Sequence, residues 1–241
     1  MILANSVAKD THLIRECAAS GDLFKATNLI AQCGILLKLP QTAIATAQTI
    51  LIRFYSVSSV NQYPISDTVL GVLFLASKTE ECARKIKDIV NVYFALQIFN
   101  NQPNAETAAF VDVPYDTYNE YKDAIIQSEI HILARLGFQV HVQHPHGFMV
   151  NYLQSLGLAT GEHTEFAQYC WNCLNDLVRT EVVVYFQPNV IACAAIYYGS
   201  RKLNVALPTT PPWWELFDAV LEDMEVISEH LEALYERGRR K

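Results

Sequence analysis

The stretch that decides the fold reads Val69-Leu-Gly-Val-Leu-Phe-Leu-Ala-Ser-Lys78. A helix formed by these residues is apolar on nearly all of its faces, so it must be surrounded by other elements. A similar stretch, Ala192-Cys-Ala-Ala-Ile-Tyr-Tyr-Gly-Ser-Arg201, follows about half a chain later and also ends in a small residue, a serine and a cation. This weak internal repeat predicts two helical bundles, each built around its own central helix.

Apolar residues recur at helical spacing on both sides of these stretches, and period-two alternation is confined to a short piece at 138–142. The sequence therefore predicts an all-α protein with two tandem five-helix bundles. Ser66 or Asp67 and, later, Asp116 are expected as N-caps, and Gly137 as a C-terminal stop. The expected helices cover 23–38, 41–56, 66–78, 85–99 and 116–136, then 146–156, 163–180, 188–203, 212–219 and 221–236.

These helices predict the division of the chain into domains. Within the first bundle, a long loop with two prolines is expected at 100–114. The hydrophobic content is high enough for each bundle to enclose a core of its own. The expected parts are an N-terminal extension at 1–22, a first bundle at 23–138, a linker at 139–145, a second bundle at 146–237 and a basic tail end at 238–241.

Composition excludes several classes of protein. The 241 residues are 51% hydrophobic and 18% charged, which argues against a disordered or fibrous chain. No apolar run approaches the roughly 20 residues that span a bilayer, and no secretory signal follows Met1, so we expect neither a membrane protein nor an exported one. A formal net charge of −7 repels phosphate backbones, so direct binding to nucleic acid is not expected.

Two short motifs contain residues that could bind a metal. Cys170-Trp-Asn-Cys173 is a single CxxC inside a helical pattern, and no second pair follows at zinc-binding spacing. His141-Val-Gln-His144-Pro-His146 contains three imidazoles, but no acidic or cysteine ligand lies near it in the sequence. We therefore expect buried free thiols and no metal site.

The sequence also lacks the motifs of common catalytic sites. It contains no GxSxG, no HExxH and no glycine-rich phosphate loop. Acidic pairs such as Glu80-Glu81 are typical of solvated helix faces rather than of acid–base dyads. We therefore expect that the chain is not an enzyme and that it uses no cofactor.

Two charged residues interrupt apolar helix faces. Glu129 fills the apolar stripe of its helix between Ile125 and Ile132, and Lys78 ends the most apolar helix of the chain. Desolvating a lone carboxylate costs several kcal/mol, so Glu129 needs a partner within the fold or on another molecule. Whether the two residues pair with each other, Lys78 simply reaches solvent, or both meet a second protein is left open by the pattern.

The stretch Leu75-Ala-Ser-Lys-Thr-Glu-Glu81 resembles the signature of the cyclin box, and two tandem five-helix bundles are the cyclin fold. The resemblance covers about residues 20–237 and is strongest to the cyclin L type, which is associated with transcription and splicing. Four further stretches are similar to cyclin L: Gly34-Ile-Leu-Leu-Lys-Leu-Pro-Gln-Thr-Ala43, Arg84-Lys-Ile-Lys-Asp-Ile-Val-Asn-Val92, Leu136-Gly-Phe-Gln-Val-His-Val-Gln-His-Pro-His146 and Ala206-Leu-Pro-Thr-Thr-Pro-Pro-Trp213.

The resemblance implies a kinase-binding site. In cyclins, the lysine of the signature and a glutamate near the end of the fifth helix form a buried pair that holds the kinase. These positions correspond to Lys78 and Glu129, and the apolar contacts of the same surface correspond to Leu75, Leu133 and Phe138. Lysine donates to backbone carbonyls and glutamate accepts from backbone amides, so the pair suits a protein partner.

The resemblance also implies the function of such a site. A cyclin is a regulatory subunit that binds a cyclin-dependent protein kinase and activates it allosterically, by pushing a kinase helix inward and releasing the activation loop. We expect a kinase catalytic subunit as partner in a heterodimer, RNA polymerase II or splicing factors as further partners, and a nuclear location.

Three departures restrict what the resemblance implies. Cell-cycle cyclins carry an aspartate before the Arg-Phe of the second helix, where this chain has Ile52 before Arg53-Phe54. The first-helix arginine and the substrate-docking patch around it are also not recognisable, so docking of short substrate motifs is not expected. Cyclin L proteins usually continue into an arginine/serine-rich tail, which the residues from Arg237 to Lys241 do not show.

Two alternative functions use the same fold. A general transcription factor clamps promoter DNA with two cyclin-like repeats, but it requires a basic face, which a net charge of −7 disfavours. A scaffold that binds no kinase is the second alternative, and intact Lys78 and Glu129 argue against it. The sequence leaves open which kinase is bound, which substrates are used and what residues 1–22 do.

Overall fold

The computed structural model describes residues 21–101 and 112–239, and within these ranges the regular structure is helical, with no β-strand. The fold class is therefore all-α, as predicted. The short piece at 138–142, where alternation occurs, forms no strand. The expectations for residues 1–20, for most of the loop at 100–114 and for residues 240–241 lie outside the described residues.

The chain divides into two compact units, Met1–Val142 and Gln143–Lys241. In the first unit the helices are α1 (Asp22–Leu36), α2 (Gln41–Val57), α3 (Ile65–Thr79), α4 (Ile86–Asn101) and α5 (Tyr115–Arg135). Helix α3 packs against the other four, most extensively against α5. The apolar stretch in α3 is buried on several faces for this reason, and the prediction of a central helix is confirmed.

Prolines, rather than the predicted polar caps, begin two helices of the first unit. Pro64 is the N-cap of α3 and Pro114 is the N-cap of α5, both with extended backbone. The expectation of Ser66, Asp67 or Asp116 as an N-cap is therefore wrong by two or three residues. Proline holds φ near the helical value at a helix start, and the two aspartates lie in the first turn, where they favour the helix dipole.

Three helices of the first unit end in the same way, with a residue of positive φ and a backbone bond that closes the last turn. In α5 this residue is Gly137, as predicted, and the N–H of Phe138 donates to the carbonyl of Leu133 at 2.9 Å. After α1 and α3 the residue of positive φ is Lys38 and Glu81, respectively. Because neither is a glycine, the sequence did not predict these two helix ends.

The second unit contains α6 (Pro145–Ser155), α7 (Thr164–Val178), α8 (Val182–Tyr185), α9 (Pro188–Leu203) and α10 (Leu221–Arg239). Short 3-10 helices lie at Gly161–His163 and Trp213–Phe217. Helix α9 is central and packs against α6, α7 and α10. In place of the α-helix expected at 212–219, the structure has the short 3-10 helix that begins at buried Trp213. The short helix α8 was not predicted from the sequence.

The two central helices share details of structure as well as sequence. Ser77 of α3 and Ser200 of α9 each donate to the backbone carbonyl three residues earlier, at 2.8 Å. Lys78 lies over the ring of Phe74, and Arg201 lies over the ring of Tyr197. The weak repeat in the sequence therefore corresponds to two helices that end alike. Within the described residues no helix is long and apolar enough to cross a membrane.

Candidate functional site

Lys78 and Glu129, separated by 51 positions in the chain, meet at the surface of the first unit. The Nζ of Lys78, near the end of α3, donates to Oε1 of Glu129 on α5. The side chain of Glu129 is 16% exposed and that of Lys78 is 41% exposed. Of the alternatives that the sequence left open, the structure shows the pairing of Lys78 with Glu129. The pair is not buried as the resemblance implied. Lys78 lies in the last turn of its helix, and its ammonium group reaches solvent.

The close approach of α3 and α5 positions this pair. At Gly71 a Cβ would lie 2.6 Å from the Cβ of Ser128 and 3.2 Å from the backbone N of Glu129. Only a glycine lets the two helices come this near without displacing one of them. Because Lys78 is two turns further along α3, its long side chain reaches across to Glu129.

Neighbouring aromatic and apolar side chains frame the pair. The Lys78 ammonium lies 4.2 Å from the centre of the Phe74 ring, which supports the cation from its own helix. Leu133, one turn beyond Glu129 on α5, is half-buried. The two charges therefore lie where the contact between α3 and α5 meets solvent.

Leu75 and Phe138, which were predicted to lie on the same contact surface, differ strongly in exposure. Leu75 is only 5% exposed and packs inside the unit, so it supports the surface from below and presents little area to a partner. Phe138 is 73% exposed and has a φ of 61°, a conformation that is unfavourable for a bulky side chain. Of the five predicted site residues, Leu75 is therefore the one that the fold withdraws from the surface.

Sequence reasoning missed two apolar residues next to this site. Ile126 and Ile130 of α5 are exposed, the latter at 53%. Their spacing of four places them on one face of the helix, and Leu133 continues that face three residues later. Ile126, Ile130 and Leu133 form an exposed apolar band. In the sequence, this band is visible as a second apolar stripe beside the one through Ile125 and Ile132.

The turn after α3 is held rigidly. The guanidinium of Arg84 donates to the carbonyls of Leu37 at 2.9 Å, Lys38 at 2.8 Å and Cys82 at 2.8 Å. These bonds satisfy carbonyls at the end of α1 and join that end to the segment that follows α3. The segment that follows Lys78 is thus anchored to the end of α1.

The other candidate motifs take structural positions. Cys170 and Cys173 are both buried free thiols, and burial raises the pKa of Cys170 to about 12. His146 is bonded to Asn175, with 2.9 Å between Nε2 and Oδ1, and burial lowers the pKa of its imidazole. Among the described residues, no group of three or more His, Cys, Asp or Glu is placed to hold a metal ion.

Comparisons with known proteins agree with this fold. Residues 25–141 match the family model of the cyclin N-terminal domain. Cyclin-L2 of Mus musculus is 40% identical over 214 residues, which are 88% of this chain and 40% of that protein. Cyclin-L1 of Gallus gallus is 39% identical over 88% of this chain and 38% of its own length, and Cyclin-L1-1 of Oryza sativa subsp. japonica is 37% identical over 86% and 47%. The chain spans between about two fifths and one half of the length of these curated relatives.

Two solved structures resemble the chain in fold. One is a chain of the yeast RNA polymerase II CTD kinase complex CTDK-1, with a TM-score of 0.73, 16% identity, and coverage of 90% of this chain and 66% of that one. The other belongs to the CAK complex of Chaetomium thermophilum bound to ATP-γ-S, with a TM-score of 0.65, 21% identity, and coverage of 88% and 62%.

The class of protein follows from the fold and the surface together. Two helical bundles with central helices that end alike, and a surface charge pair beside an exposed apolar band, define a two-repeat helical protein. Residues 25–141 form a cyclin N-terminal domain, and the similarity of the chain to cyclin L confirms the resemblance seen in the sequence.

Proposed function

We propose that the chain is a regulatory subunit that binds and allosterically activates a cyclin-dependent protein kinase of the transcription or splicing machinery. The observation that carries the proposal is the Lys78–Glu129 pair, held at the surface between α3 and α5 beside an exposed apolar band. The cyclin N-terminal domain at residues 25–141 and the similarity of the chain to cyclin L support it. In this function the chain contributes no catalytic group.

The chemistry of the surface suits a helix of a kinase. Lys78 has two further N–H donors for backbone carbonyls, and Glu129 has a second carboxylate oxygen for backbone amides. Phe138, Leu133 and Ile130 supply the apolar contact area that surrounds such polar anchors in protein interfaces. Docking on this surface would hold the kinase helix inward, where its glutamate orients the ATP-binding lysine.

The proposed substrates are the RNA polymerase II tail or splicing factors, and the proposed location is the nucleus. Support comes from the relatives, which are named cyclin L, and from the fold neighbour that belongs to an RNA polymerase II CTD kinase complex. A polymerase-tail peptide is therefore the first substrate to assay.

The test is purification of the tagged chain from nuclear extract, followed by mass spectrometry of the eluate and a kinase assay on polymerase-tail peptide. We expect a stoichiometric kinase with the unmodified chain. Lys78→Ala or Glu129→Ala should weaken its retention about thirtyfold or more, because truncating one member of an interfacial charge pair costs about 2 kcal/mol or more. The helical CD spectrum should stay nearly unchanged.

A second Lys–Glu pair provides a matched control. Lys202 of α9 donates to Glu232 of α10 at 2.6 Å, and both side chains are about half exposed. Lys202→Ala and Glu232→Ala remove the same chemistry from the second unit and should leave kinase retention unchanged. If the Lys78 and Glu129 variants bind the kinase as well as these controls do, the proposed site is wrong.

A further inference from the structure

One line of side chains on α5 continues beyond the Lys78–Glu129 pair towards the start of the helix. Its members are spaced at seven, four and seven residues, which places them on one side of an α-helix. They are Tyr115, Lys122, Ile126 and Leu133. The first three are exposed and Leu133 is half-buried, so this row presents a surface about 27 Å long, at 1.5 Å per residue.

Lys122 is the charged member of the row, and its own surroundings do not neutralise it. The positions three and four residues away on either side are uncharged: they are Tyr118, Asn119, Ile125 and Ile126. The acids nearest in sequence, Glu120 and Asp123, lie about 100° or more around the helix from it. Among the described residues, none of the ion pairs includes Lys122. Its ammonium group is therefore available to a carboxylate of another protein.

The row is continuous with the Lys78–Glu129 pair. Lys122 precedes Glu129 by seven residues, which is two turns or about 10 Å along the helix. Ile126 lies between them and is 36% exposed. An apolar contact with polar groups at its edges is the usual composition of a protein–protein interface. A partner that meets Lys78 and Glu129 and lies along α5 therefore also reaches Lys122.

We propose that the kinase-binding surface extends along α5 to Lys122, and that the kinase carries an aspartate or glutamate opposite this lysine. The acidic side chain would lie about 10 Å from the kinase segment that meets the Lys78–Glu129 pair. This inference rests on the proposed function, which supplies the kinase as the partner. A cation at this position favours kinases with an acid there and repels those with a lysine or arginine, so Lys122 contributes to the choice of kinase.

The first experiment identifies the acidic group. The kinase recovered with the unmodified chain is produced as a purified protein and mixed with the full chain. A water-soluble carbodiimide then joins amines to carboxylates that are in contact, and mass spectrometry locates the joined residues. We expect Lys122 to be joined to one aspartate or glutamate of the kinase. Lys25 of α1, which is also exposed, should not be joined to the kinase.

Charge reversal then decides the proposal. In roughly 0.1 M salt, where the Debye length is about 10 Å, Lys122→Glu should weaken the affinity for the purified kinase about tenfold or more. The difference should shrink in roughly 1 M salt, where the Debye length is about 3 Å. Lys25→Glu makes the same change in net charge and should leave the affinity unchanged. Replacing the joined kinase acid with lysine should restore the affinity of Lys122→Glu, which general destabilisation of the chain would not allow.

Failure of this inference is distinguishable from failure of the proposed function. If Lys122→Glu binds the kinase as tightly as Lys25→Glu while Lys78→Ala still weakens binding, the inference is wrong and the proposed function stands. If Lys78→Ala and Glu129→Ala also bind as tightly as the unmodified chain, the proposed site is wrong and the inference is overturned with it. The helical CD spectrum of Lys122→Glu should be unchanged, because the substituted side chain is exposed.

Discussion

Phe138 combines two unfavourable properties at one residue. It exposes most of an aromatic ring to solvent, and its φ of 61° is one that glycine adopts at no cost. Backbone strain of this kind costs roughly 1–3 kcal/mol and is concentrated at functional sites. Neither property stabilises the chain by itself, which agrees with the place of Phe138 in the proposed kinase-binding surface.

Phe138→Gly should therefore change stability and binding in opposite directions. The free energy of unfolding should rise by about 1 kcal/mol, because glycine relieves the left-handed strain and little buried ring area is lost. Kinase retention should fall, because the exposed ring is removed. Urea unfolding and co-purification measure the two effects. A loss of stability with unchanged retention would show that Phe138 is a packing residue.

The cysteines lead to a prediction about reactivity at the same scale. Burial raises the pKa of Cys33, Cys170 and Cys193 to about 12 and that of Cys173 to about 11, so their thiolates are scarce at pH 8. Cys82 is less buried than these four. Brief alkylation at pH 8 followed by mass spectrometry should label Cys82 before them. Equal labelling of Cys170 would contradict its burial and reopen a redox or metal role for the CxxC motif.

At the scale of helices, the contact between α3 and α5 decides whether the site exists. Gly71 faces Ser128 and the backbone of Glu129, so the separation of the two helices is set where the glycine lies. Any side chain at this position must push α5 outward, and Glu129 would move with it. The same contact therefore contributes to the core and to the geometry of the charge pair.

Gly71→Ala should destabilise the first unit by about 1–3 kcal/mol, the usual cost of overpacking. It should also weaken kinase retention by moving Glu129 away from Lys78. Gly147→Ala is the control, because Gly147 is an exposed helical glycine with nothing within 4 Å of its added Cβ. That substitution should raise stability by about 0.5–1 kcal/mol. Thermal unfolding of both variants tests the prediction, and equal effects would contradict it.

Helices whose limits coincide with strong local signals could be predicted from the sequence. Helix α9 begins at Pro188 and ends at Leu203, as expected from the proline and the apolar run. Helix α8 is only four residues long and has too few turns to produce a periodic pattern.

At the site, the pairing of Lys78 with Glu129 was one of several alternatives. The exposure of Phe138 and the burial of Leu75 depend on how α3 and α5 pack, which a linear pattern does not contain.

At the scale of the whole molecule, the two units share one arrangement of helices but differ in their surfaces. Each unit surrounds a central apolar helix, and each central helix ends in a serine bonded to the preceding turn and a cation over an aromatic ring. The first unit adds an exposed apolar band next to its Lys–Glu pair, whereas the second unit has a groove between α6 and α7 that is lined by uncharged residues. The repeated fold thus carries different surfaces in its two units.

The net charge of the molecule decides between kinase binding and the DNA-clamp alternative. A clamp must neutralise phosphates, and each neutralised phosphate makes binding more sensitive to salt. With a formal charge of −7, this chain should show no retention on promoter DNA or heparin at about 0.15 M salt, where the Debye length is about 8 Å.

Electrophoretic mobility shift at several salt concentrations makes the measurement, with the Lys78→Ala variant beside the unmodified chain. The kinase-subunit function predicts no shift for either protein, because Lys78 acts on a protein partner. A shift that weakens steeply as salt rises would mean that the lysines and arginines of the chain form a local basic face despite its acidic total. That result would favour the clamp, and kinase retention that is insensitive to Lys78→Ala would strengthen it further.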